Sequence, residues 1–218
     1  MEEKAKEEAF IAALTTEHFV LQAAASSTVS DAAARSSLYV FALSSFLVAT
    51  GFISQSPELL TPFVAAVEPG WFLLGVFTVV RLVDTALENN QYLAGIARIR
   101  AHYRTLTPDA ATLFSAQSGR WPETMTEPSL GLGEVVAFLG TTATMIAFIN
   151  SIVAGAGIAL LVRVAAGVGG EALALVCGLA SAAVLMSIFY VFQRWRFKST
   201  PLAVRPEGDT PRERQDGQ

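Results

Sequence analysis

The chain has 218 residues, of which 52% are hydrophobic and 16% are charged, and its formal net charge is −4. An average soluble domain carries about 25% charged residues, and the uncharged runs 135–162 and 172–193 are too long for the core of a soluble protein this small. The basic residues form no concentrated face, which excludes a nucleic-acid partner, and the composition predicts an all-α integral membrane protein in the lipid bilayer.

The first predicted element is a long helix that enters the membrane. Residues 36–53 carry no charge and are just long enough to cross the hydrocarbon layer. Neither proline nor glycine occurs between Lys4 and Thr50. A continuous helix of that length reaches ~70 Å, well beyond the ~30 Å layer. Segment 1–35 is therefore predicted to be a cytoplasmic amphipathic helix that continues into the first span.

The second span, within segment 36–106, has an ambiguous start. Residues 54–69 contain three prolines and two glutamates, and we expect an acidic loop there. A start near Gly70 places a proline in the opening turn and Arg81 near mid-membrane. A start near Phe63 would instead bury Glu68, so the start near Gly70 is favoured.

Both spans are predicted to extend into the cytoplasm as helices with apolar seams. Before the first span, the seam residues recur at spacings of three and four: Ile11, Leu14, His18, Leu21, Ala25, Thr28 and Ala32. After the second span, the seam residues are Tyr92, Ile96, Ile99, Tyr103 and Leu106. Such a stripe buries one helix edge against another. We expect a cytoplasmic bundle, with packing within one subunit favoured over packing between subunits.

The remaining segments complete a four-span topology. Segment 107–133 is predicted to be a cytoplasmic linker, and 134–198 to hold the third and fourth spans with a glycine-rich turn at 167–170. The tail 199–218 is rich in proline, glycine and charge, and we expect disorder there.

The distribution of lysine and arginine predicts the orientation. With both termini in the cytoplasm, cytoplasmic segments hold thirteen of the fifteen basic residues, and an external loop holds only Arg163. Such residues are retained inside during insertion. We therefore expect a multi-pass protein of the inner (plasma) membrane, with Trp71 and Trp195 at its outer and inner interfaces.

Four polar residues form a candidate intramembrane site: Arg81, Asp84, Glu88 and Asn150. An ionisable residue at membrane depth is unfavourable by roughly 2.5–3.5 kcal/mol, so it usually finds a partner. Arg81 and Asp84 are three positions apart on one helix and are expected to pair. An ion path or gate and a purely structural pair are equally supported. For Asn150, a hydrogen bond to a neighbouring helix is favoured over a hydrated path.

Small residues repeat every seven positions along the first helix: Ala23, Ser30, Ser37, Ser44 and Gly51. Further small residues lie on the third helix (Ala154, Gly155, Gly157) and the fourth (Gly178, Ala182). Small side chains let helix backbones approach closely. The stripe on the first helix fits either a pore made by several subunits or close packing inside one bundle, and packing is favoured.

The segment after the second span offers a candidate cytoplasmic contact at Ile96, Arg98, Ile99, Arg100 and Tyr103. Its basic, amphipathic pattern suits anionic lipid headgroups or an acidic protein partner. A solvated inner flank is the favoured alternative, because the orientation rule alone places arginines there.

No residue pattern indicates catalysis or a cofactor. His18 and His102 lack metal-ligand spacing, and Cys177 lies in an apolar run with no second cysteine in the chain. We find no nucleophile–base pair or phosphate-binding glycine loop, so the sequence predicts no enzyme, no cofactor and no metal.

Two local stretches carry resemblances. Residues 81–88 (RLVDTALE) and 96–103 (IARIRAHY) resemble uncharacterised four-span membrane proteins of actinobacterial type, a class that implies no activity. Ser30–Arg35, leading into the first span, is similar to the membrane entry of Pycsar-type transmembrane effectors, which compromise the membrane on a nucleotide signal. The topology is loosely similar to Orai-type calcium channels, but the first span lacks the outer acidic residue that those channels need.

The leading hypothesis is a homo-oligomeric membrane protein of channel or membrane-effector type, with the Arg81–Asp84 pair as a gate or ion path. The alternative is a non-transporting scaffold or signalling subunit that binds a protein partner through its cytoplasmic bundle.

Overall fold

A computed structural model describes residues 2–113, 140–167 and 169–199. Within these ranges the chain is all-helical: α1 (Glu2–Ile53), α2 (Pro57–Tyr103), the short α3 (Pro108–Leu113), α4 (Thr142–Ala166) and α5 (Glu171–Ser199). Helices α1, α2, α4 and α5 are each long and apolar enough to cross a membrane. Most of the predicted linker, the beginning of the predicted third span and the tail lie outside the described residues.

Helix α1 is continuous over 52 residues, as the lack of proline and glycine predicts, and is therefore about 78 Å long. It ends at Ile53, where Ser56 N donates to the Ile53 carbonyl at 2.9 Å and closes a tight turn. Helix α2 then returns antiparallel along α1. The two form a hairpin whose closed end is the turn at residues 54–56, called here the turn end of the molecule.

The predicted loop over 54–69 is wrong, because α2 begins at Pro57 and passes through Pro62 and Pro69. Pro57 occupies the first turn, where its missing N–H costs nothing. Each later proline removes one backbone hydrogen bond. Where lipid or apolar helices surround the chain, a sixteen-residue loop would leave many backbone groups unpaired, so an uninterrupted helix is favoured.

The seam between α1 and α2 beyond the spans forms within the subunit, as expected. Ala25 and Thr28 are buried on α1, as are Ile96 and Ile99 on α2. Thr28 Oγ1 donates to Asn89 Oδ1 at 3.1 Å. The first-helix seam residues are all buried or half-buried, so the periodicity identified this edge correctly.

Helices α4 and α5 form a second hairpin that packs on α2. Gly167 and Gly169 have φ of 68° and 93°, and they turn the chain between the two helices. Gly155 and Gly178 let α4 and α5 touch, since a β-carbon on either would lie 2.6 Å from the other's carbonyl oxygen. The helices thus follow the order α1, α2, α4, α5, with few contacts between α2 and α5.

The shared core lies between α1, α2, α4 and α5. Its buried members are Tyr39, Trp71, Val79, Leu82, Val83, Leu87, Ala143, Ile146, Ala147 and Phe189. Helix α1 contributes little to it, because only 6% of its most apolar window is buried, compared with 33% for α2 and 39% for α4.

Candidate functional site

Polar side chains lie along the buried contact between α2 and α4, called here the polar seam. Asn150 of α4 is at its centre and is fully buried. Its Nδ2 donates to the Phe72 carbonyl at 3.3 Å, and its Oδ1 accepts from the Tyr39 hydroxyl at 3.4 Å. Gly75 makes room for it, since a β-carbon there would collide with the amide. Asn150 therefore joins three helices, in agreement with the favoured interhelical interpretation.

An aromatic cluster covers the centre of the polar seam on the α1 side. The Tyr39 and Trp71 rings lie 4.8 Å apart, and Phe46 stacks on Trp71 at 5.9 Å. Trp71 is only 7% exposed, so its ring packs inside the bundle. The expectation of a tryptophan at the outer interface assumed a helix start near Gly70, whereas α2 begins at Pro57, thirteen residues earlier. Trp195, by contrast, is 61% exposed near the end of α5.

The expected ion pair between Arg81 and Asp84 does not form. Arg196 Nη2 of α5 donates instead to Asp84 Oδ1 at 3.0 Å, and Arg81 Nη1 lies 3.7 Å from Glu88 Oε1. Spacing within α2 could not reveal the cross-helix partner, because Arg196 is supplied by the packing of α5.

These charges lie far from the turn end. Arg81 is twenty-four residues after Pro57, or about 36 Å along α2. It is level with the start of the first span. A hydrogen bond from Arg35 lowers the pKa of Asp31, and the nearby charge of Arg81 acts in the same direction. We call the part of the molecule that holds Arg81, Asp84, Glu88, Asp31 and Arg35 the charged level.

The charged level includes a buried polar contact that sequence reasoning missed. Gln193 of α5 is 2% exposed, and its Oε1 accepts from Thr144 Oγ1 of α4 at 3.1 Å. Thr85 of α2 is also buried, and neither its hydroxyl nor Gln193 Nε2 has a partner among the described residues. The available signal in the sequence was a polar glutamine at the end of the uncharged run 172–193.

The four residues of the candidate intramembrane site therefore separate into two places. Arg81, Asp84 and Glu88 lie at the charged level, while Asn150 packs against Gly75, which is six residues before Arg81 and so about 9 Å nearer the turn end. These four side chains therefore do not form one continuous site.

Glu68 was expected in an acidic loop, and this expectation is wrong. It lies within α2 and is 8% exposed, with its Oε1 buried and without a hydrogen-bond partner among the described residues. Its carboxyl rests on Gly157 of α4, where a β-carbon would overlap Oε2. The alternative start of the second span would have revealed this burial.

The small-residue stripe of α1 lies outside the bundle. Ala23, Ser30, Ser37, Ser44 and Gly51 are all exposed, on the face opposite the seam with α2. A β-carbon at Gly51 would meet no atom within 4 Å. The favoured interpretation of packing inside one bundle is therefore wrong for this stripe, which faces away from the subunit.

The candidate cytoplasmic contact faces in two directions. Ile96 and Ile99 are buried against α1, whereas Arg98 is exposed, and Arg100 and Tyr103 are half-buried. Burial and the charge of Arg100 together lower the pKa of His18 on the facing side of α1. The two isoleucines thus hold the hairpin together and are not available to a partner.

Comparisons of the chain with protein-family models, curated proteins and solved structures found no match. In the described ranges, no three histidine, cysteine or acidic side chains are grouped as metal ligands.

Proposed function

We propose that the chain is a homo-oligomeric membrane protein of channel or membrane-effector type, whose subunits associate along the exposed face of α1. One observation carries this proposal: α1 has the least buried apolar window of the four long helices, at 6%. A spanning helix that contributes so little to its own subunit is available to pack against another copy.

The exposed face of α1 suits close helix packing. Its small residues, among them Ser37 and Ser44, would let two backbones approach where lipid-like side chains give little drive to associate. The hydroxyls of Ser30 and Ser44 donate to carbonyls of their own helix at 3.2 and 2.9 Å. A second copy of α1 on this face would therefore leave these hydroxyls paired.

The seven-residue repeat also favours a symmetric assembly. On a straight α-helix such a repeat drifts by ~20° per heptad, so continuous contact along it requires a left-handed supercoil. Several α1 helices wound around one axis would each present the same stripe. The contact would run beyond the membrane to Ala23, along the extension of the helix.

We further propose that the turn end is extracellular and that both termini are cytoplasmic, in the inner (plasma) membrane. The charged level then lies at the inner surface, where basic residues are retained. The pairs Arg81–Glu88 and Asp31–Arg35 have side chains that are 39–46% exposed. In an oligomer they would lie on the α2 side of each α1 helix, at the cytoplasmic end of the assembly, which is where we propose a gate.

Cysteine cross-linking tests the association. In a Cys177→Ala background, Ser37→Cys places a thiol on the stripe, and Leu38→Cys places one about 100° further round the same helix. Both positions are exposed within the subunit. Oxidation in native membranes should cross-link Ser37→Cys strongly and Leu38→Cys weakly. Equal yields would contradict association through the stripe.

Flux through proteoliposomes tests the channel part separately. Ser37→Phe should lower ion flux by blocking close approach of α1 helices, while Leu38→Phe should leave it unchanged. Absence of flux in wild-type protein that still cross-links through Ser37→Cys would refute conduction and retain the oligomer.

The second candidate is the non-transporting scaffold or signalling subunit. It is favoured by two adjacent apolar side chains on the part of α1 beyond the span, Phe19 and Val20, which are 64% and 55% exposed. A patch of apolar side chains exposed to water is typical of a binding surface. If the chain is a scaffold, Phe19→Glu should release a stoichiometric protein partner. If it is an oligomer, the same substitution should weaken self-association. Particle mass in nanodiscs distinguishes the two outcomes.

A further inference from the structure

Glu68 lies far from the charged level, in the interior of the bundle. It is eleven residues after Pro57, so it lies about 17 Å from the turn end, near the middle of a ~30 Å hydrocarbon layer. Its neighbour across the α2–α4 contact is Gly157, whose missing side chain leaves the space that the carboxyl occupies.

Glu68 has no counter-charge among the described residues, since none of the ion pairs that they form includes it. On α4 the basic residue is Arg163, which pairs at 3.3 Å with Glu171 of α5. On α1 the titratable group of the span is Tyr39, whose hydroxyl donates a hydrogen bond to Asn150 Oδ1. In the part of the chain that the structure describes, no cationic side chain therefore holds the carboxyl in its charged form.

A carboxylate without a counter-charge is strongly unfavourable in an apolar interior, whereas the neutral acid is far less so. Glu68 Oε1 is buried and has no hydrogen-bond partner among the described residues. The surroundings therefore favour the protonated carboxyl over the carboxylate.

We propose that Glu68 is a proton-binding site inside the helical bundle, with Gly157 as the backbone cradle that makes room for the carboxyl. The ligand is a proton, taken up and released by the carboxyl. This site is separate from the proposed α1 interface, so either proposal can fail without the other.

Reaction with dicyclohexylcarbodiimide tests the site in the full chain reconstituted in nanodiscs. This apolar reagent requires a protonated carboxyl. The acid proton moves to a carbodiimide nitrogen while the carboxyl oxygen adds to the central carbon, and the resulting O-acylisourea rearranges to a stable N-acylurea. Peptide mass spectrometry should find the adduct on Glu68 at neutral pH. Labelling should fall about tenfold per pH unit above the midpoint, because the protonated fraction does so.

Matched variants separate the site from the surface carboxyls. Glu58 lies on the same helix and is exposed, so Glu58→Gln should leave the labelling unchanged. Glu68→Gln is nearly isosteric and should remove both the adduct and an infrared band of a protonated carboxyl. Gly157→Ala should reduce labelling by displacing the carboxyl, while Gly51→Ala should not.

Two results would overturn the proposal. One is an unlabelled Glu68 in folded protein whose infrared spectrum is the same as that of Glu68→Gln. The other is protection of Glu68 by sodium or potassium at fixed pH, which would make an alkali cation the ligand in place of a proton.

Discussion

The contact between Gly155 and Gly178 leads to a prediction whose magnitude follows from the structure. A β-carbon at Gly178 would lie 2.6 Å from the Gly155 carbonyl oxygen and 2.8 Å from the β-carbon of Ala159. Ordinary carbon–carbon contacts lie at about 3.5–4.0 Å. Gly178→Ala must therefore push α4 and α5 apart by roughly 1 Å, since the obstacle is backbone and not a flexible side-chain end.

Overpacking of this kind costs typically 1–3 kcal/mol, and alanine recovers about 0.5–1 kcal/mol through its better helix propensity. The expected net loss is therefore roughly 0–2.5 kcal/mol. The matched control is Gly51→Ala, where the added carbon meets no atom within 4 Å. The control should gain the propensity term alone, so the two variants should differ by about 1–3 kcal/mol.

Reversible unfolding in mixed detergent–lipid micelles, followed by circular dichroism, measures both variants under one condition. Equal unfolding free energies for Gly178→Ala and Gly51→Ala would refute the direct contact of the α4 and α5 backbones. A loss confined to Gly178→Ala would support it.

Two further predictions concern the charged level and the extension. A double-mutant cycle of Asp84→Asn with Arg196→Gln should give a coupling of ~0.2–1 kcal/mol, as expected for a partly exposed pair, whereas Asp84→Asn with Arg81→Gln should give almost none. Burial and the charge of Arg100 lower the pKa of His18 from its ordinary value of 6.5. The unfolded chain therefore binds more protons as pH falls below 6.5, so stability should decrease on acidification. Unfolding across that pH range should lose part of this dependence in His18→Gln, and an unchanged profile would contradict the assignment.

The long helices were predictable because their signals are local. An unbroken run without proline or glycine defines α1, and a three–four spacing of apolar residues defines its edge against α2. Both depend on geometry within one helix. The glycine turn before α5 was predictable for the same reason, since positive φ is a property of single residues.

The prolines of α2 misled the prediction because their effect depends on what surrounds them. In water a proline-rich, acidic segment is a loop, but between apolar surfaces an intact helix leaves fewer backbone groups unpaired. Because α2 begins at Pro57 and not near Gly70, every later residue of α2 lies about 20 Å further from the start of the helix than expected. Glu68 therefore lies within the helix, where it is buried against α4, and Arg81 lies about 36 Å from the turn end.

The sequence by itself determined the number of long apolar helices, the continuity of α1 and the edge that joins α1 to α2, because periodicity and composition act within a single helix. Only the tertiary structure decided which residue pairs with Asp84, which glycine accommodates Glu68, and that the stripe of α1 faces outward. Those features depend on how separate helices pack. Asp84 and Arg196, for example, are 112 residues apart in the chain, and no spacing along one helix encodes their contact.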